Sequence, residues 1–152
     1  MSFRPNHLRP YVECVPIHQE ATLAVPPERI YELLTDGAKL STLVDRRGRG
    51  GAAEGAWFSL FGDLLEGRQI ELVRDERVVQ AWRLTEWEPG VYAIVRFTLT
   101  PQGDGSTRVT VDLDAYPARF QDVLADNCWQ ELYFGPMARQ FSRSSSPGKK
   151  CE

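Results

Sequence analysis

The chain is poor in the side chains that most often carry chemistry. Among its 152 residues there are two histidines, His7 and His18, and three cysteines, Cys14, Cys128 and Cys151. Neither set shows the paired spacing of a metal site or a disulfide framework. Cys14 and His18 stand across Pro16, and two ligands do not make a site, so no metal and no cofactor is expected. No nucleophile–base arrangement is readable either. Unpaired cysteines point to a reduced, intracellular chain, and a cytoplasmic location is expected. There is no basic excess: the formal net charge is −3. A nucleic-acid partner is therefore not expected, because phosphate binding needs a basic footprint. No apolar run approaches the roughly 18 residues of a membrane span. Arg4, His7 and Arg9 are not followed by an apolar core, so the N-terminus does not read as a signal peptide, and no membrane partner is expected.

What the chain does have is patterned apolar content, 42% of its residues. The length fits one domain, burying roughly 68–70% of its unfolded surface. The widest apolar face lies between Phe120 and Phe141. One row runs Ala125, Trp129, Tyr133, Met137, Phe141 and a second runs Leu124, Cys128, Leu132. Spacing of three and four places both on one side of an α-helix. Gly135-Pro136 predicts a kink, because Pro136 has no N–H for the carbonyl of Leu132.

Before that helix the period is two. Ile17 to Val25 alternates and reads as a half-buried strand. Pro26-Pro27-Glu28 opens a helix with Ile30, Leu33 and Leu34 as its buried stripe. Asp36 caps a second short helix carrying Ala38, Leu40 and Leu43. Asp45 to Gly55 is rich in arginine and glycine, but it lacks the lysine and hydroxyl of a phosphate-cradling loop. It reads as a mobile solvated loop beside a pocket mouth. Trp57–Phe61, Leu65–Val73, Arg77–Leu84, Val91–Thr100 and Ser106–Ala115 read as five strands separated by short turn signals, hence an antiparallel meander. Gly67 suggests a bulge or bend. Residues 1–16 read as an irregular arm, 17–141 as the domain, and 142–152 as a disordered tail.

The fold class is α+β: a curved antiparallel sheet with one apolar face, covered by a long C-terminal helix, with two short helices after strand one. Where sheet and helix part, an apolar cavity results. The residues expected to line it are Phe58, Leu60, Ile70, Trp82, Val95, Phe97, Val109, Val111, Trp129, Tyr133 and Met137. Trp82 is in phase with Val78 and Leu84, and Arg83 alternates away from it. Glu20, Glu66, Glu71 and Arg83 could meet near a cavity, although solvated strand charges are the simpler reading.

The string of motifs resembles a known group. Val25-Pro26-Pro27-Glu28-Arg29-Ile30-Tyr31-Glu32-Leu33-Leu34-Thr35-Asp36 is similar to a helix-one signature. Gly55-Ala56-Trp57-Phe58 follows, with Ala56 where a second glycine is usual. Gly62, Gly67, Val78-Val79-Gln80-Ala81-Trp82-Arg83, Trp87, Gly90, Pro117 and the run Trp129, Tyr133, Phe134, Phe141 complete it. Cys128 stands where a glycine is usual. Together they resemble the START-like (SRPBCC) helix-grip superfamily, and within it the domain named after the activator of Hsp90 ATPase. The resemblance implies a helix-grip fold and three candidate roles. The favoured one is a non-enzymatic domain binding a small hydrophobic or aromatic ligand in an apolar cavity. The alternatives are an interaction domain for an Hsp90-type chaperone, with a part in the stress response, and a cyclase- or hydrolase-like enzyme. The chaperone activator also has a separate ATPase-stimulating N-terminal domain, for which this chain has no room, so ATPase stimulation is not expected to transfer.

Overall fold

Helix, strand and turn follow one another as the periodicity requires. The structure, a computed structural model, describes residues 15–125 and 129–145, with side chains described as far as Phe141. The strands are β1 (Ile17–Leu23), β2 (Arg49–Gly50), β3 (Trp57–Leu60), β4 (Leu65–Val73), β5 (Arg77–Leu84), β6 (Ala93–Pro101) and β7 (Thr107–Asp114). The helices are α1 (Pro27–Thr35), α2 (Gly37–Val44), α3 (Gln121–Ala125) and α4 (Gly135–Ser145), with a 3₁₀ turn at Ala118–Phe120 and a π-helical turn at Gln130–Phe134. The seven strands form one sheet in the order β1-β7-β6-β5-β4-β3-β2, and every pairing is antiparallel. β1 closes the sheet beside β7, with Ile17 opposite Leu113 and Leu23 opposite Thr107. The fold is α+β, a curved sheet with helices on its inner face, as expected for a helix grip.

The helix starts are explained locally. Pro27 occupies the first turn of α1 and Glu28 sits beside its positive end. Asp36 caps α2 by accepting from the Ala38 and Lys39 amides. The Ala38 amide is therefore unavailable to continue the α1 ladder. The Leu34 carbonyl of α1 instead accepts from the buried side chains of Gln69 (3.2 Å) and Gln80 (3.5 Å). This ties the end of α1 to the middle of the sheet and satisfies a carbonyl that a helix end leaves orphaned.

Five expectations are corrected. The C-terminal cover is not regular α-helix throughout: from Trp129 to Ser145 it runs unbroken but passes through the π-helical turn just before Pro136. The Gly135 amide bonds the Gln130 carbonyl five residues back, so the chain widens where proline interrupts an α-ladder. The predicted row stays buried through the turn at Trp129, Tyr133, Met137 and Phe141. Phe134 is buried beside Tyr133, while Ala125 is exposed. The bulge lies between Gln69 and Glu71, not at Gly67. Gly67 is needed for close approach instead, since a Cβ there would meet the Ala81 carbonyl oxygen and the Phe58 ring. The loop after α2 is tied down: Arg49 and Gly50 pair with Ser59 and Phe58, Gln69 Nε2 donates to the Gly51 carbonyl, and the Gly55 amide donates to the Gln69 carbonyl. Finally, residues 142–145 continue α4 rather than opening a tail. Residues 146–152, and 1–14 of the expected arm, lie outside the described residues, as do Cys14, Cys128 and Cys151.

Candidate functional site

The inner face of the sheet meets the C-terminal helices in a cluster of rings. Trp82 of β5 stacks on Trp129 with centroids 5.6 Å apart, and Trp129 stacks on Tyr133 at 5.7 Å. Phe97 of β6 contacts Trp129 at 6.2 Å and Tyr133 at 5.5 Å. Phe61, at the end of β3, closes the far side against Tyr133 at 5.3 Å. Trp87, in the β5–β6 turn, extends the cluster from Trp82 to Phe120. The indole of Trp129 donates to the Leu124 carbonyl at 2.9 Å, which locks its ring.

Of the residues expected to line a cavity, Phe58, Leu60, Trp82, Val95, Phe97, Val109, Val111, Trp129, Tyr133 and Met137 all come together in this core. Trp82, Val95, Phe97 and Val111 are 0% exposed. Ile70 is the exception, pointing outward and 48% exposed. The bulge explains it: Gly67 and Gln69 face inward, and the irregularity after Gln69 puts Ile70 and Glu71 outside before Leu72 returns to the core.

The core also holds polar groups that alternation alone could have revealed. Gln80 is in phase with Val78 and Trp82, and Gln69 with Leu65 and Gly67, and both are buried. Their Oε1 atoms have no hydrogen-bond partner among the described residues, nor do the indole nitrogens of Trp82 and Trp87. Arg83 departs from the simpler reading of a solvated charge. It faces away from Trp82 yet is 7% exposed, because the β5–β6 turn folds over it. Its guanidinium donates to Glu66 at 2.6 Å and to the carbonyls of Trp87, Glu88 (3.2 Å) and Val91 (3.3 Å). That network satisfies both charges and fixes the turn carrying Trp87. Glu71 pairs with Arg77 and Glu20 with His18, so the four charged residues do not converge.

The outer face carries several large apolar side chains that are exposed. Trp57 (40%), Tyr92 (43%) and Ile94 (40%) are exposed there alongside Ile70. A groove of about 470 Å³ crosses β6 and β7, and a cleft of about 210 Å³ lies between α1, α2 and α4, lined by Arg29, Glu32, Lys39 and Phe141 among others. His18 lies at the margin of the outer face. Hydrogen bonds to Asp112 (2.7 Å), and then to Glu20 (2.8 Å), raise its pKa above the ordinary 6.5. The Arg77 guanidinium holds the Glu71 carboxyl below the usual carboxylate range, and Arg47 does the same for Asp63. Among the described residues, no group of three or more His, Cys, Asp or Glu could hold a metal ion, and no helix is long and apolar enough to cross a membrane.

Comparison with known proteins gives this geometry a context. Residues 24–140 match the family described as activator of Hsp90 ATPase homolog 1-like protein. The mouse activator of 90 kDa heat shock protein ATPase homolog 2 is 24% identical over 127 residues, covering 81% of this chain and 37% of that protein. The Dictyostelium discoideum activator of 90 kDa heat shock protein ATPase homolog is 36% identical over 93 residues, covering 60% of this chain and 24% of that protein. The chain thus spans about a quarter to two-fifths of the length of these relatives. Among solved structures, an HSP90 activator from Plasmodium falciparum superposes with a TM-score of 0.75 at 18% identity, covering 84% of this chain and 96% of that one. At that identity the likeness concerns the fold alone.

Proposed function

The chain belongs to the activator of Hsp90 ATPase homolog 1-like family, and from that membership we propose a non-enzymatic interaction domain that docks on an Hsp90-type chaperone. The observation that carries this reading is the set of large apolar side chains exposed on the outer face of the sheet. On the inner face Trp82, Phe97, Trp129 and Tyr133 pack against one another. The outer face, by contrast, exposes Trp57, Ile70, Tyr92 and Ile94. Exposed aromatic and aliphatic anchors ringed by charge are what a protein partner buries first. ATPase stimulation is not part of this proposal, since the chain spans only 37% and 24% of the mouse and Dictyostelium relatives named for it.

The test is titration of an Hsp90-type chaperone into the labelled protein. Ile70→Asp should weaken binding at least tenfold with an unchanged unfolding midpoint. Phe97→Leu should alter binding only as far as it alters stability. Equal affinity for the wild-type and Ile70→Asp chains would overturn the assignment of the outer face.

A second reading has its own support. Trp82 and Trp87 bury indole N–H groups with no acceptor among the described residues, and an unmet buried donor is costly. A small hydrophobic or aromatic ligand with an acceptor oxygen would satisfy one of them on entering beneath Phe120. One saturable site for an apolar fluorescent dye, displaced by such a ligand and weakened by Phe97→Leu, would favour this reading over the chaperone.

A further inference from the structure

We propose that the groove across β6 and β7 is a binding site for the chain's own segment 1–14. The groove is lined by Pro16, Val79, Ile94, Arg96, Asp112 and Asp114 among others. Register makes these side chains neighbours on one face. Ile94 lies opposite Asp114, Arg96 opposite Asp112, and Val79 opposite Arg96. The result is an apolar floor with carboxylates along the β7 side. Glu20 and His18 of β1 continue that side, His18 bridging Glu20 and Asp112. Asp112, Asp114 and Glu20 outnumber Arg96 and His18 on this side, which gives it an acidic balance.

The chain enters the domain at this spot. Ile17 begins β1 opposite Leu113. Pro16 forms part of the groove wall. The carbonyl of Val15 accepts a hydrogen bond from the Tyr116 hydroxyl, so the exit point is held. Segment 1–14, which lies outside the described residues, therefore starts at the mouth of the groove. Its length exceeds the need: 14 residues reach up to about 46 Å when extended.

Its chemistry matches what the groove presents. Phe3, Leu8, Tyr11 and Val12 are apolar, Arg4 and Arg9 are basic, and Glu13 is the single acid. Pro5 and Pro10 fix their own φ and bias Arg4 and Arg9 towards extended backbone, which suits a groove. In the proposed arrangement Tyr11 and Val12 cover Val79 and Ile94, and Arg9 meets the carboxylates. Tethering decides between this occupant and a separate molecule. A short linker gives an effective concentration on the order of millimolar, so even a weak contact fills the groove in cis. This inference holds for the free protein and does not rest on the chaperone reading; a partner that buries Ile94 has to displace the segment first.

The test is amide NMR on the full ¹⁵N-labelled chain. The Leu8–Val12 signals should lie away from random-coil positions, and Asp112→Lys with Asp114→Lys should move them towards those positions. Adding Arg4→Glu and Arg9→Glu to that variant should restore them in part. Ile94→Ser, which changes no charge, should release the same signals while the β4 and β5 signals stay in place. Random-coil positions for Leu8–Val12 in the wild-type chain, unmoved by any of these variants, would overturn the proposal. So would displaced signals that collapse on dilution, since the occupant would then be a second copy.

Discussion

Trp129 concentrates the energetics of the inner face in one side chain. It stacks between Trp82 and Tyr133, meets Phe97 edge-on and spends its N–H on Leu124. Truncation leaves a large hole among rigid rings that cannot collapse into it. Trp129→Ala should therefore cost about 3–5 kcal/mol, read as a lower denaturant midpoint at an unchanged slope. A loss well below that range would mean that the site borders open space. His18 presents the opposite case, an exposed group tuned by charge. Its pKa is raised by Asp112 first and Glu20 second. Its folded value lies above the unfolded 6.5, so its stabilisation is complete below the unfolded value and is lost as pH rises through the folded one. Titration of the His18 ring by NMR should give a midpoint above 6.5, and Asp112→Asn should lower it. Charge alternation marked His18 as solvent-facing in the sequence, but not its pairing with Asp112, which comes from a strand at the other end of the chain. Arg83 stood out in the sequence beside Glu66, but its burial did not, because the turn that covers it is built from residues following its own strand.

The elements themselves followed from local spacing. Strands β3 to β7 begin and end within about two residues of the alternating runs, because the period of two depends only on neighbours along the chain. The π-helical turn did not, since its signal was limited to Gly135-Pro136 and a kink was the natural expectation. Gly135 is the position to test. A Cβ there would sit 2.6 Å from the Gln130 carbonyl oxygen, a backbone atom that cannot swing away. Alanine would gain about 1 kcal/mol of helix propensity, but forced displacement costs roughly 1–3 kcal/mol. Gly135→Ala should therefore destabilise the chain on balance, measured by thermal unfolding. If it stabilised instead, the chain would have to follow an ordinary α-helix through this stretch.

For the molecule as one unit, the tryptophans report where its inside lies. Trp82, Trp87 and Trp129 are at most 2% exposed, while Trp57 is 40% exposed and stacked under Arg49. Acrylamide should thus quench one emission component, which Trp57→Phe removes. The remaining fluorescence should unfold at the same midpoint as the far-ultraviolet circular dichroism, as for a single cooperative core. More than one quenchable tryptophan would show the cluster to be open. The order of elements, the face of each strand, the cap at Asp36 and the family resemblance all rest on relations between residues a few positions apart, and these can be read along the chain. Whether the concave face is hollow or filled rests on how rings from distant elements, Trp82, Phe97 and Trp129, meet to within a fraction of a side chain. Which way Ile70 points depends on a bulge set by the pairing of β4 with β5. The loop after α2 is held by Gln69, a residue from another strand. Packing distance and strand register are properties of elements brought together by folding, so only the tertiary structure decides them.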